Sequence, residues 1–298
     1  METYLKTLGL NINFPFALIM AGLIWARVLS AVMTIPFLFG KPVPRNVRVG
    51  ASVMLAVFLY PLLVTKEIAP TDIQDLKLFS LFLKEILFGL SIGFAASIVF
   101  YGFEGAGQMI DNQRGVSLAR ILIPELGEQS SITGAFLFQL TIVTFLVLGG
   151  HRLFFRAFAE SYQVLPLLQF PESVEGLLPL LDLFMKMTGK IFFIAIQISA
   201  PVIIAILITD IILGVANRFA PQINVWELGF NIRGYVGILL LFLSLAFIAR
   251  QIENYVAESN RDVKAVIMDL RGKILTPSKP AEKPPEEELQ KPHPVVPL

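Results

Sequence analysis

Apolar positions in this chain come in long blocks, with neither strand-like alternation nor a regular heptad. Six blocks approach the roughly twenty residues that a membrane-crossing helix needs. They are Phe14–Phe39, Val47–Val64, Leu76–Tyr101, Ile132–Gly149, Ile191–Leu213 and Tyr235–Ala249. A shorter apolar stretch, Gly176–Met187, reads as a re-entrant or interfacial helix. The pattern predicts an all-α integral membrane protein. The first block exceeds the apolar core of a signal peptide and follows a weakly basic start, so it is expected to be retained.

Several blocks carry charges that lipid would penalise: Arg27, the pair Lys84–Glu85, and Asp210. Such residues normally face a protein interior or a wet cavity. A helix enclosed by other helices is also hydrophobic all round, so the blocks are expected to pack heavily against partners. Cations fall on both sides of a simple six-span topology, with Lys41, Arg45 and Arg48 in one loop and Arg152, Arg156, Lys186 and Lys190 in another of opposite parity. The positive-inside rule gives no clean orientation for such a chain.

Within the third block Gly89, Gly93 and Ser97 recur every fourth residue and lead through Tyr101 to Gly105, a spacing that lets helix backbones approach closely. A polar hairpin is expected to follow Tyr101. Further on, Asp210, Gly214 and Asn217 form a narrow polar stripe on one helix. Pro221 should end that helix and Pro201 should kink it near its start. Beyond the last block, Ile252, Tyr255, Val256, Val263, Val266, Ile267, Leu270 and Ile274 recur at helical spacing among charged residues, which predicts an amphipathic helix. Residues 276–298 hold seven prolines and a Glu triplet and read as a disordered tail. The chain thus divides into a hydrophobic helical domain, 1–250, with a hairpin loop near 102–131, then an amphipathic helix, 251–275, and the tail, 276–298.

Composition narrows the chemistry. The chain is 55% hydrophobic, with 25 Phe and a mean hydropathy of +0.71. Its 16% charged residues fall well below the roughly 25% of soluble domains. A net charge of +1 offers no global field for nucleic acid. There is no cysteine, so disulfides, iron–sulfur clusters and thiolate zinc sites are excluded. His151 and His293 are too few and too far apart for a metal cluster or a triad. Neither nucleotide-loop fingerprint is complete. Ser117 reads as a packing or capping serine. An enzyme is not expected, nor is a cofactor.

The stretch "GAGQMIDNQRGVSLA", Gly105 to Ala119, interrupts this greasy background. Asp111 and Arg114 are three residues apart, so they can pair on a helical turn. A pair shielded from water needs further hydrogen bonds, which Gln108, Asn112 and Gln113 could supply. Two readings stay open: a satisfied polar turn that pins a hairpin, modestly favoured by the physics, and a polar constriction lining a conduit.

Together with "ITDIILGVANRFAPQINVWELGF", this stretch resembles the T component of type III secretion export gates, the SctT/FliR family. The ordered motif NR-x-APQ-x-NV-x-x-LGF follows the TD-x-x-LG helix, and the likeness runs from about Phe14 to Gln251, including Leu165–Pro166. "IDNQRG" is nearer the virulence-injectisome branch than the flagellar one. Asn231 departs from the proline that many relatives carry after LGF, which touches local turn geometry only.

The resemblance implies tilted helical hairpins with kinked or broken helices, packed into a helical multi-subunit export gate in the bacterial inner membrane and raised partly above the bilayer. It implies R and S partners (SctR/FliP-like, SctS/FliQ-like), a switch component (SctU/FlhB-like), and unfolded secreted proteins as cargo, with the C-terminal tail cytoplasmic. Arg120, Ile121, Leu122, Ile123 and Pro124, with Glu125 and Leu126, occupy the place of a plug loop. Ile121, Leu122 and Ile123 suit an apolar seal that stops ions by dewetting, and Pro124 keeps the loop from becoming helix. Gln108, Asp111, Asn112, Gln113 and Arg114 would anchor the hairpin. Gly89, Gly93, Gly105, Asp210, Asn217, Arg218, Pro221, Gln222 and Asn224 would serve assembly and packing. The rival readings are a flagellar paralogue with the same role, a secondary transporter suited by interrupted helices and Asp210, though no repeat relates the two halves, and a passive scaffold.

Overall fold

A computed structural model of the chain describes residues 14–39, 43–64, 75–116, 131–169, 178–222 and 224–275. The described residues form α-helices and no strands. In chain order these are α1 (Phe14–Thr34), α2 (Pro36–Phe39), α3 (Arg45–Val64), α4 (Asp75–Gln113), α5 (Ile132–Val147), α6 (Gly150–Val164), α7 (Leu178–Phe219), α8 (Val225–Leu243) and α9 (Leu245–Leu275). This is an all-α membrane protein. Among the described residues four helices are long and apolar enough to cross a bilayer, and up to six spans result if each bent pair counts as one.

The breaks have local causes. Pro36 disfavours helical geometry at Ile35 and then opens α2 as its first residue. Gly149, at φ 73°, adopts the left-handed conformation that turns α5 into α6 at 74°. α7 stops at Phe219, two residues short of Pro221. α8 and α9 meet at Ser244 with a 56° bend, so the apolar run Tyr235–Ala249 straddles two helices.

Two readings of the sequence need correction. The polar stretch after Tyr101 is not a hairpin: α4 continues unbroken to Gln113, and the chain leaves the helix only at Gly115, φ 84°. Residues 102–113 contain no proline, and Gly102 and Gly107 serve packing rather than turning. A methyl group at Gly102 would lie 2.8 Å from Ile194 Cβ, and one at Gly107 would lie 2.5 Å from Gly134 Cα. Nor is Gly176–Met187 a separate helix. From Leu178 onward it is the first stretch of α7, which passes through Pro201 to reach 42 residues.

At 1.5 Å per residue, α4 and α7 are about 60 Å long, twice the roughly 30 Å hydrocarbon core of a bilayer. Neither fits upright within a membrane. α4 is the axis of the molecule, with α1, α5, α7 and α9 against it. One apolar core gathers Phe37, Phe100, Phe145 and Phe154 at its centre, the Phe37 and Phe145 rings 4.5 Å apart. α9 closes the other side, with Ile252, Val256, Val263, Val266, Ile267 and Leu270 buried.

Candidate functional site

Three polar features among the described residues interrupt the apolar body at junctions of helices, beside the outer Lys190–Glu258–Asp262 cluster of α7 and α9. The first closes the C-terminal end of α4. Asp111 is buried, and its carboxylate accepts from four donors. Arg114 Nη1 donates to Oδ1 at 3.1 Å and the Thr133 hydroxyl to the same oxygen at 2.5 Å. The Ser131 hydroxyl donates to Oδ2 at 2.5 Å and the Thr133 backbone N–H at 3.0 Å. Ser131 is also the N-cap of α5, its oxygen accepting from Gly134 N–H at 2.8 Å. Asp111 therefore sits at the positive end of a neighbouring helix dipole, where an anion is stabilised. Glycine contact makes this possible, because Gly107 on α4 and Gly134 on α5 bring the two backbones together.

The expected Asp111–Arg114 pair is present, but its completing bonds come from Ser131 and Thr133 on the next helix. The sequence reading missed both. Their signal was a Ser-x-Thr at the head of an apolar block, where a capping residue is expected. Gln108 and Asn112 are exposed and Gln113 is half-buried. Arg120, Ile121, Leu122, Ile123 and Pro124 lie outside the described residues, in the connection that this lock closes off at both ends.

The second feature binds α1 to α4. Arg27 and Glu85 are fully buried, and Lys84 nearly so. Arg27 pairs with Glu85 through two bonds, Nε to Oε2 at 2.5 Å and Nη2 to Oε1 at 3.0 Å. Its guanidinium lies 4.2 Å from the Tyr162 ring centre and donates to Ser161 Oγ and to the Leu165 carbonyl. Lys84 Nζ stands 2.9 Å from Glu85 Oε1 and donates to the carbonyls of Pro166, Leu167 and Gln169. Two cations thus share one carboxylate, and four backbone carbonyls offset the remaining positive charge. Buried charges persist only when paired and hydrogen-bonded in this way. The motif Leu165–Pro166 is the backbone that these cations hold.

The third lies on the arm formed by α7 and α8. Arg233 Nε donates to Asp210 Oδ1 at 2.6 Å, each side chain about one-third exposed. Asp210 is therefore half-buried with one partner, not buried among several. Gly214, Asn217, Arg218, Pro221, Gln222 and Asn224 are exposed in the single chain. Gly89 and Gly93 face α1, where a methyl group at Gly89 would collide with Ser30 Oγ and the Arg27 carbonyl, and one at Gly93 would lie 2.9 Å from the Ala31 carbonyl. Gly105 packs against Ala195 of α7. Among the described residues no group of three His, Cys, Asp or Glu could hold a metal ion.

Residues 18–259 match the bacterial export proteins, family 1. The chain belongs to that family. It is similar to Yop proteins translocation protein T of Yersinia pestis, with 33% identity over 225 residues that cover 74% of this chain and 84% of the relative. It is similar to the flagellar biosynthetic protein FliR of Bacillus subtilis, 28% identical over 82% of this chain and 94% of the relative. Surface presentation of antigens protein SpaR of Shigella sonnei is 29% identical over 70% of this chain and 80% of its own length. The match to the family spans α1 to the middle of α9, so all three polar junctions lie inside it.

Proposed function

We infer that the chain is a subunit of a type III protein export gate in the bacterial inner membrane, through which unfolded substrates cross. The observation that carries this is a family match over residues 18–259, shared with translocation and flagellar export relatives. Identity to the Yersinia translocation protein, 33%, exceeds the 28% to the Bacillus flagellar protein, which favours the injectisome branch. The chain assembles with other components of the export apparatus. R-, S- and switch-type components are the partners proposed, with the C-terminal tail on the cytoplasmic side.

Residues 117–130 join the two ends tied by the Asp111 lock, and within them Ile121, Leu122 and Ile123 are proposed as the apolar seal of the closed gate. The lock holds the ends of this connection on rigid helices. Its carboxylate is saturated with donors, which suits anchoring. Replacing Ile121, Leu122 and Ile123 together with Gly tests the seal, because an apolar constriction excludes water only while narrow and non-polar. In the assembled gate, planar-bilayer conductance of the closed state should rise and cells should lose growth at high salt. An assembled gate with wild-type conductance would remove this segment from the seal.

A further inference from the structure

One face of α8 is applied to the corner where α4 ends. Phe230, Arg233 and Gly237 recur at the spacing that aligns residues along a helix, and each engages something different. The Phe230 ring lies over Gly115, where a methyl group would approach it to 3.0 Å. Gly237 is buried over the stem of Arg114: a methyl group there would lie 2.6 Å from both Cγ and Cδ. Between them Arg233 reaches back to Asp210 on α7.

The Arg114 stem is not free to swing away. Its Nη1 is held by Asp111 and Thr133, and its Nε is buried without a hydrogen-bond partner. A displaced stem would pull the guanidinium off the buried carboxylate, whereas an untethered arginine would simply move aside. We propose that α8 is the positioning strut of the α4–α5 corner, with Gly237 the seat of Arg114 and Phe230 the wall behind Gly115. The strut is braced on α7 through Asp210–Arg233. Any movement of the α7–α8 arm is then passed to the ends of the 117–130 connection. Its effect on transport rests on the reading of that connection as part of the gate; the contact itself does not.

The chain contains no cysteine, so an engineered pair is unambiguous. In the complete gate co-produced with its partner components, Arg114→Cys with Gly237→Cys should form a disulfide under mild oxidant. Absence of the cross-link in assembled gates would overturn the strut. The second arm is allele-specific rescue. Gly237→Val should raise closed-state conductance about tenfold, the factor by which an overpacking cost of about 1.4 kcal/mol borne by the closed arrangement alone shifts a two-state equilibrium. Adding Arg114→Ala should return conductance to the level of Arg114→Ala alone, because the stem that Val displaces is gone. A Gly237→Val defect that Arg114→Ala leaves unchanged would also overturn the proposal. Should Gly237→Val fail to assemble, recovery of assembly by Arg114→Ala reads the same coupling. If the Ile121–Ile123 Gly variant leaves conductance unchanged while the cross-link and rescue succeed, the gate reading fails and the strut stands.

Discussion

α4 and α7 are nearly equal in length, 39 and 42 residues, and both pass for membrane spans by composition. Within the most apolar stretch of each, 72% of α4 is buried but only 33% of α7. Small residues explain much of the difference. Gly89, Gly93, Gly102 and Gly107 on α4 each admit a neighbouring helix to a distance at which a methyl group would clash, whereas Gly189 and Gly214 on α7 have nothing within 4 Å. α7 instead turns Phe192, Phe193, Ile211 and Phe219 outward. The polar groups divide the same way only beyond Lys190 of α7, which α9 holds through Glu258 and Asp262. Lys84, Glu85 and Asp111 on α4 are buried and fully answered within the chain, while Asp210 on α7 is half-exposed with a single partner. One helix is finished by its own chain. The other presents an apolar face for lipid or another subunit to cover.

From that contrast, the largest effect should come from the buried charges on α4. Glu85→Ala leaves Arg27 and Lys84 buried without a counterion, and breaking such a pair costs about 3–5 kcal/mol. The variant should unfold early in detergent and accumulate poorly with or without partner components. Next comes close packing. Gly107→Val drives a side chain into the Gly134 backbone and should cost about 1–3 kcal/mol by overpacking, read as a lowered thermal midpoint of the isolated chain.

Asp210→Ala separates the regions more sharply. With both partners about one-third exposed, the pair should contribute no more than about 1 kcal/mol to the isolated chain. Native gels of the co-produced complex should show a larger loss if a partner subunit covers this site. Equal losses in chain and complex would mean that the arm is as self-contained as α4. The smallest effect on the chain alone is expected at Phe219→Ser. This position is 82% exposed, and such surface changes stay within about 0.5 kcal/mol. Complex yield should nonetheless fall, and an unchanged yield would leave lipid or water, not a subunit, against that face.

Much of the fold was legible because its signals are local. Pro221 stops a helix by constraining the residue before it, and the glycine ladder on α4 announces a helix that others approach closely. The spacing of Ile252, Val256, Val263 and Ile267 marks the buried face of α9 before any neighbour is known. Where reading failed, glycine was ambiguous. Gly105 and Gly107 look like turn residues in one dimension, and nothing local distinguishes a glycine that bends a chain from one that seats a second backbone. The helix therefore ran twelve residues past Tyr101, to Gln113. The same ambiguity hid Gly237, whose role exists only because Arg114 lies over it.

The sequence by itself determined that the chain is helical, apolar and punctuated by charges that must be satisfied, since hydropathy, helix breaks and the cost of a buried ion depend on residue type and near neighbours. Only the tertiary structure decided who satisfies them. Arg27 and Glu85 are 58 residues apart, Lys84 reaches carbonyls more than 80 residues away, and Asp111 takes its bonds from Ser131 and Thr133 across a connection. A hydrogen bond carries no mark in sequence of its distant partner. Its strength depends on a few tenths of an ångström and on the absence of water, and both are set only when the helices close around it.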